Sequence, residues 1–288
     1  MRHNKFNWYE RDGQQVFGQV WRPDVFDVEG VISIIHDLGE HSSRYERMAS
    51  FFVHHGYAVM AFDLRGHGQS AGTRGHCPSY DFLLGQIDRI LEESSKRFPG
   101  EAKIVFGQGL GGNLVLNHTL THNPRILGVI ANSPWLRLPN PPSSKLLWQA
   151  RIMNYIFGYY TQKSPYPLNQ RSNNAQILSS IKDDPLLHDK ISIRLNLFAN
   201  LHGEYALKEA IHLNIPTLLM HGTANGCTSF VASQEFAKKA PADYMDFKPW
   251  EGLLHELHNE PQGEQVLQYM LKWMTAKIAS AKGLGGYA

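Results

Sequence analysis

Residues 104–112 have the sequence IVFGQGLGG, in which a short apolar run leads through a glycine-rich turn into a segment that can form a helix. Similar apolar runs, separated by segments of helical pattern, lie on both sides of it. The other predicted buried strands are 30–36, 57–62, 128–131 and 216–220, and the predicted helices are 44–55, 80–98, 112–121 and 230–239. Because strands alternate with helices, the sequence predicts the α/β class, with a mostly parallel sheet covered on both faces.

The two ends of the chain extend this pattern. Residues 6–9 and 15–21 form a predicted hairpin, and a last strand at 244–247 precedes a terminal helix at 263–282. The glycine-rich tail after that helix is expected to fray. A length of 288 residues suits one elaborated domain better than two.

One stretch, which we call the inserted segment (residues 134–209), interrupts the alternation. It begins rich in Pro, Asn and Ser and continues with aromatic residues in a helical pattern and without strand character. Within it, residues 146–160 (LLWQARIMNYIFGYY) place apolar groups on several faces of a helix. Either this helix packs on the rim of the sheet, or it belongs to a cap that lines an apolar pocket. We therefore predict a core at 1–133 and 210–288 and a cap at 134–209.

The charge balance limits the kinds of partner. With 28 Lys and Arg against 26 Asp and Glu, the net charge of +2 is too small for the basic field that nucleic acid binding needs. Cys77 and Cys227 cannot form a disulfide framework, which fits a reducing compartment. No apolar run is long enough for a signal-peptide core or a transmembrane helix, so a cytoplasmic protein is expected. The apolar inserted segment leaves contact with a membrane surface open.

The turn at 107–112 fits one of two functional templates. A glycine-rich turn between a strand and a helix can cradle phosphate, but neither a dinucleotide spacing with a downstream acid nor the Lys-Ser/Thr of a phosphate loop follows it. The other template is the nucleophile elbow G-x-S-x-G, in which a sharp turn lifts a serine above the sheet and the next N–H faces an oxyanion. Gly109 stands at the serine position.

Four further segments favour the elbow template. They are 36–45 (HDLGEHSSRY), 63–75 (DLRGHGQSAGTRG), 221–225 (HGTAN) and 252–260 (GLLHELHNE). These segments resemble H-G-x-G-E-H-S-x-R-Y, D-x-R-G-H-G-x-S-x-G-x-R-G, H-G-x-x-D and G-x-x-H-E…N-E of the monoacylglycerol lipase and lysophospholipase branch of the α/β-hydrolases. The resemblance covers nearly the whole chain. It implies an α/β-hydrolase fold with a mostly parallel, roughly eight-stranded sheet, an inserted helical cap and no cofactor. It also implies a structural role for Asp63, Arg65 and His67.

The resemblance assigns the catalytic positions. Gly109 stands where the nucleophile belongs, Asn225 where the acid belongs and His255 where the base belongs, and the N–H groups of Leu38 and Leu110 would form the oxyanion hole. Gly109 offers no nucleophile, and the amide of Asn225 carries no charge and can favour the wrong histidine tautomer. Because loss of the nucleophile alone costs on the order of a million-fold in turnover, ordinary serine-hydrolase activity is not expected.

Asp37 is a third departure, because it replaces a glycine of the oxyanion-hole loop. If the Asp37 carboxylate pointed into the pocket, it would oppose the negative charge that an oxyanion hole stabilises. Alternatively, it would position a water molecule together with His255. The preferred interpretation is that Asp37 caps the helix beginning near His41 or faces solvent. Glycine at 109 adopts a strained elbow at little cost, so an intact fold with a small empty volume beside it is expected. Cys227 is more typical of core filling than of a replacement nucleophile.

The sequence therefore favours a catalytically impaired lipase-like protein that binds a small apolar or acyl-ester ligand. One alternative is an active ester hydrolase, either as a mutated form of a working enzyme or with water or Cys227 in place of serine. Another is a scaffold whose aromatic cap binds a protein and whose pocket is filled with side chains. No metal is expected, because the pairs His54–His55 and His118–His122 lack a third ligand at matching spacing. The sequence does not set the oligomeric state.

Overall fold

The computed structural model describes residues 1–24 and 27–283. Its strands are β1 (Arg2–Tyr9), β2 (Gln15–Arg22), β3 (Val31–Ile35), β4 (Ala58–Phe62), β5 (Lys103–Gln108), β6 (Gly128–Asn132), β7 (Thr161–Lys163), β8 (Lys190–Ser192), β9 (Thr217–Gly222) and β10 (Met245–Trp250). Its α-helices are α1 (Glu46–His54), α2 (Tyr80–Arg97), α3 (Leu110–His122), α4 (Ser144–Phe157), α5 (Ala175–Asp183), α6 (Ile193–Glu209), α7 (Phe230–Lys239) and α8 (Gly263–Gly283).

Eight of the strands form one sheet in the order β1-β2-β4-β3-β5-β6-β9-β10, which confirms the predicted α/β-hydrolase architecture. The predicted hairpin pairs β1 with β2, and β2 runs antiparallel to β4. The remaining neighbours are parallel. Parallel strands covered on both faces need continuous apolar runs, and every residue of β3 and β4 is buried.

Helices cover both faces of the sheet and bury two apolar clusters. On one face α1 and α8 contribute Phe52 and Met270, which pack with Trp21 and Phe106 of the strands. On the other face α2, α3, α6 and α7 cover the alternate strand residues, such as Val105. Since α3 begins directly after β5, its N-terminus lies at the carboxyl edge of the sheet, where α/β proteins place their sites.

The inserted segment holds α4, β7, α5, β8 and α6. The expectation that it lacks strands is wrong, because β7 and β8 form a small antiparallel pair. Three-residue strands are too short to show an alternating pattern in the sequence. The interpretation of α4 as a helix on the sheet's rim is also wrong, since no α4 residue is buried and α4 packs on α6. The division at residues 134 and 209 stays a prediction.

Within residues 1–24 and 27–283, no helix is both long and apolar enough to cross a bilayer. The predicted terminal helix is α8. The tail expected to fray, residues 284–288, lies outside the described residues.

Candidate active site

Gly109 forms the junction between β5 and α3. The chain reverses within this one residue, because β5 ends at Gln108 and α3 begins at Leu110. Gly109 has φ +51° and ψ −109°, a conformation that costs a residue with a side chain about 1–3 kcal/mol and costs glycine little. The backbone therefore has the sharp turn of a nucleophile elbow, without a side chain that could attack.

The carboxylate of Asp37 lies directly in front of this elbow. Its Oδ1 accepts hydrogen bonds from the backbone N–H of Leu38 (2.7 Å) and of Leu110 (2.6 Å), and the side chain is fully buried. These two donors are the predicted oxyanion hole. The protein's own carboxylate thus occupies the predicted oxyanion-hole position.

Two sequence-based expectations about this corner are wrong. Asp37 neither caps the short helix at Ser42–Tyr45 nor faces solvent, since His41 holds the N-cap position and makes no side-chain cap. Two convergent N–H donors, one of them at the N-terminus of α3, attract a carboxylate more strongly than a single cap position does. The small empty volume expected beside Gly109 is also absent, because a Cβ on Gly109 would collide with the Asp37 carboxylate.

His255 links this carboxylate to the position of the triad acid. Its Nε2 lies 2.8 Å from Oδ2 of Asp37, and its Nδ1 lies 3.1 Å from Nδ2 of Asn225. The amide of Asn225 is oriented by its Oδ1, which accepts from the backbone N–H of Cys227 (2.8 Å) and of Thr228 (3.1 Å). The NH2 group of Asn225 must therefore face His255.

The Asn225 amide group favours one tautomer of His255. Nδ1 accepts from Asn225, so the ring proton is on Nε2 and is donated to Asp37. A histidine that takes a proton from a nucleophile needs the opposite tautomer, with Nδ1–H held by a carboxylate and a free lone pair on Nε2. His255 is thus oriented as a hydrogen-bond donor and not as a general base.

Side chains of the inserted segment cover the site. Tyr166 packs its ring edge-on against His255, with 5.1 Å between ring centroids, and Trp135 packs on Tyr166. Arg171 donates from Nη2 to the carbonyl of Leu38 at 3.2 Å. The sequence pattern did not indicate these three residues, because the inserted segment carries no motif. The one local feature of the sequence that pointed to them is Trp135, an aromatic residue shortly after β6.

A buried ion network borders the site. Arg44 pairs with Glu256 at 2.7 Å, and Arg171 reaches Glu40 at 3.2 Å and Glu256 at 3.4 Å. Burial and the neighbouring Glu256 raise the pKa of Glu40 to about 8. Burial opposes the charge of Glu256, but Arg44 and Arg171 outweigh it and lower the pKa of this carboxyl. The network joins the inserted segment to the loop that carries Asp37.

Cys227 and His221 lie beside Asn225 and are not poised for chemistry. The Cys227 thiol is buried, its Sγ lies 3.9 Å from the carbonyl of Pro167, and burial raises its pKa. Nucleophilic cysteines need a lowered pKa, so this thiol is unsuited to replace serine. Burial and the nearby His255 lower the pKa of His221 to about 3, so its imidazole is neutral.

The motif around Asp63 braces the loops beside the site. Asp63 accepts from the N–H (2.7 Å) and the hydroxyl (2.5 Å) of Ser42 and from the N–H of Gln69 (2.7 Å). Arg65 pairs with Asp12 at the surface, and His67 is buried. None of these side chains contacts Asp37 or His255, which agrees with a structural role.

In the described part of the chain the inserted segment borders several cavities, of which two exceed 500 Å³. One, of about 560 Å³, lies between α4 and α6 and is lined largely by apolar side chains that include Leu146, Leu147, Ala150, Met153, Ile193 and Leu197. The other, of about 510 Å³, is lined by Gly39, Tyr166 and Arg171 among others. Asp37, Gly109 and His255 line neither of them. Tyr166 contacts both His255 and the second cavity, so it separates that cavity from the histidine.

The family described as serine aminopeptidase, S33 matches residues 27–262. The chain belongs to this family. It is 31% identical over 280 residues to an uncharacterised abhydrolase domain-containing protein of Dictyostelium discoideum. The matched region covers 96% of this chain and 29% of that protein. This chain is 24% identical over 267 residues to a monoacylglycerol lipase of Mycolicibacterium smegmatis, covering 92% and 95% of the two chains. The chain thus spans less than a third of the first relative and nearly all of the second.

Solved structures agree with this assignment. The monoacylglycerol lipase of Paleococcus ferrophilus matches with a TM-score of 0.81 and 29% identity over 96% of this chain and all of that one. A soluble variant of the Saccharomyces cerevisiae monoglyceride lipase, in complex with a substrate analog, has the same fold, with a TM-score of 0.84 at 19% identity over 94% of each chain. The chain is an α/β-hydrolase of the monoacylglycerol lipase and lysophospholipase branch, as its sequence predicted.

Proposed function

We propose that this member of the family does not hydrolyse esters through an acyl-enzyme and instead binds an apolar, acyl-like molecule in the cavity between α4 and α6. The observation that carries the proposal is the position of the Asp37 carboxylate, which accepts hydrogen bonds from Leu38 and Leu110. An acyl intermediate would need the same two donors. Ester hydrolysis is therefore disfavoured for two reasons: the nucleophile is missing, and the oxyanion hole is occupied by Asp37.

The size of the expected rate losses supports the absence of ester hydrolysis. Loss of the serine alone costs on the order of a million-fold in turnover. Removal of one oxyanion donor costs a further factor of about 100 to 1,000 in typical cases, and here both donors are already bonded to Asp37. The tautomer of His255 removes the general base as well.

The cavity supports the binding part of the proposal. Its volume of about 560 Å³ lies within the usual range for small-molecule sites, roughly 300–1,000 Å³. Burial of each CH2 group contributes about 0.8 kcal/mol, so a chain of several methylenes would bind without any charged contact. Asn196 and Asn200 are among its few polar lining residues and could bond an ester or carboxyl oxygen.

Binding is tested by native mass spectrometry of the purified protein and by titration with a fluorescent fatty acid. We expect Ala150→Trp, which fills the cavity, to weaken binding at least tenfold, because Ala150 lines it. Arg151→Trp is the matched control, since the neighbouring Arg151 is exposed and does not line the cavity. Equal affinity of both variants and the unaltered chain, or no binding at all, would contradict the proposal.

Hydrolysis by a bound water is the enzymatic alternative. The contact between Asp37 and His255 at 2.8 Å favours it, since such a pair can polarise water. However, both carboxylate oxygens of Asp37 already accept hydrogen bonds, and His255 donates its proton to Asp37, so neither group is free to activate a water. Turnover of a short p-nitrophenyl ester that disappears in His255→Ala would establish this alternative; turnover at the rate of buffer is expected.

Docking of another protein is a second candidate function, favoured by the outer face of α4. Apolar side chains there are exposed, among them Trp148 (60%), Tyr155 (92%) and Ile156 (57%). Native mass spectrometry also separates this function from ligand binding. A bound lipid supports the proposal above, whereas a lipid-free complex with a second protein chain supports docking.

A further inference from the structure

Two neighbouring helices bring two histidines and a carboxylate together, away from the candidate active site. His118 and His122 lie one turn apart on α3, and Asp88 lies on α2. Nε2 of His118 is 2.7 Å from Oδ1 of Asp88, and Nδ1 of His122 is 3.0 Å from Oδ2 of the same carboxylate. One ligand atom from each residue falls within 4.8 Å of the others. Three donor atoms of metal-ligating type therefore lie close together.

The donor set matches the chemistry of a divalent transition metal. Zinc is bound by imidazole nitrogen at about 2.0–2.1 Å and by carboxylate oxygen at about 2.0–2.2 Å, and two histidines with one carboxylate are a common ligand set. Hard cations such as Mg²⁺ prefer oxygen ligands throughout and fit this set poorly. At present the three side chains share the protons of their hydrogen bonds, and an ion would take the place of those protons.

The setting also favours a site of this kind. The side chain of His118 is buried (1% exposed), so its ring is held in place by packing. His122 and Asp88 are partly exposed, at 35% and 46%, which leaves an entry path from solvent.

We propose that Asp88, His118 and His122 bind a divalent zinc-type ion that clamps α2 to α3. Three protein ligands leave at least one coordination position for water on the solvent side, as in open zinc sites. Because α3 begins at the elbow residue Gly109, such a clamp would also stiffen the helix that supplies Leu110 to the Asp37 carboxylate. The function of the site would be structural, since Asp37 and His255 are not part of it.

The sequence pattern alone missed this cluster. The spacing of His118 and His122 was recognised, but the third ligand lies 30 residues before His118 on another helix. Only the packing of α2 on α3 brings Asp88 into reach.

The test uses the full chain, freed of metal with EDTA and titrated with ZnCl2 in a calorimeter. We expect one ion per chain with a dissociation constant on the order of micromolar. At a hundredfold excess over that constant, the melting temperature should rise by on the order of 5 °C. Co2+ in place of zinc should give the visible absorption of a four- or five-coordinate ion. Absence of saturable binding would overturn the proposal.

Variants separate this site from adventitious binding at other surface histidines. His122→Ala and Asp88→Asn should each weaken zinc binding at least tenfold and abolish the Co2+ spectrum. His212→Ala is the matched control, because His212 is 71% exposed and lies outside the cluster. Circular dichroism establishes that each variant is folded. If the ligand variants are folded and bind zinc like the control, the three residues form only a hydrogen-bonded tie between helices, and the proposal is wrong.

Discussion

Asp37 and Gly109 depend on each other. The carboxylate of Asp37 fills the space that a side chain at position 109 would need, and a Cβ there would collide with it. Conversely, the two N–H donors beside Gly109 keep Asp37 buried, because a carboxylate without partners could not remain in that place. Restoration of a serine alone is therefore not expected to restore a working site.

This mutual dependence predicts coupled stability effects. Gly109→Ser should lower the free energy of unfolding by about 1–3 kcal/mol, because the new side chain overpacks the carboxylate. Asp37→Gly should cost about 1–3 kcal/mol, because buried N–H groups lose their acceptor. In the double variant the serine has room, so we expect it to be at least about 1 kcal/mol more stable than the sum predicts. Urea denaturation of the four proteins measures the difference, and additive effects would show that the two positions are independent.

Among the elements, the segments that follow β3 and β10 meet the inserted segment at one buried ion network. Arg171 of the inserted segment bonds both the loop carbonyl of Leu38 and the carboxyl groups of Glu40 and Glu256. Removal of one member of such a network leaves an uncompensated buried charge, which is costly. The network therefore ties the inserted segment to the loop that carries Asp37.

The network predicts how stability depends on pH. The pKa of Glu40 is about 8 in the folded chain, against an ordinary value of 4.5. Between pH 4.5 and about pH 8 the folded chain binds more protons at Glu40 than the unfolded chain does. The contribution of Glu40 to stability is therefore complete below pH 4.5. It declines as the pH rises and is lost above about pH 8. We expect the free energy of unfolding to decline less between these pH values in Glu40→Gln than in the unaltered chain. Parallel pH profiles from chemical denaturation would contradict this account.

The elements also show how far the sequence could predict the molecule. The β5 strand, its turn and α3 follow from a local pattern, and the positions of Gly109, Asn225 and His255 follow from local motifs. The inward direction of Asp37 could not be predicted, because it depends on the N–H of Leu110, 73 residues away along the chain. The covering residues, such as Tyr166, depend in the same way on long-range packing that leaves no local pattern.

Over the described chain the α/β-hydrolase fold is complete, and the Asp37 carboxylate lies against the strand-to-helix turn at Gly109. The eight-stranded sheet and its helices superimpose on a monoacylglycerol lipase with a TM-score of 0.81. The chemistry of a serine hydrolase resides in a few side chains on this scaffold, so substitution of those side chains need not disturb the fold. We propose that Asp37, Gly109 and Asn225 together block the acyl-enzyme route.

The most direct measurement is the intact mass of the protein after exposure to a fluorophosphonate, which labels only an activated nucleophile. We predict no adduct on the unaltered chain. In a variant that combines Asp37→Gly, Gly109→Ser and Asn225→Asp, we predict one adduct at position 109, which should disappear when His255→Ala is added. An adduct on the unaltered chain, or a folded triple variant that remains unlabelled, would contradict the account.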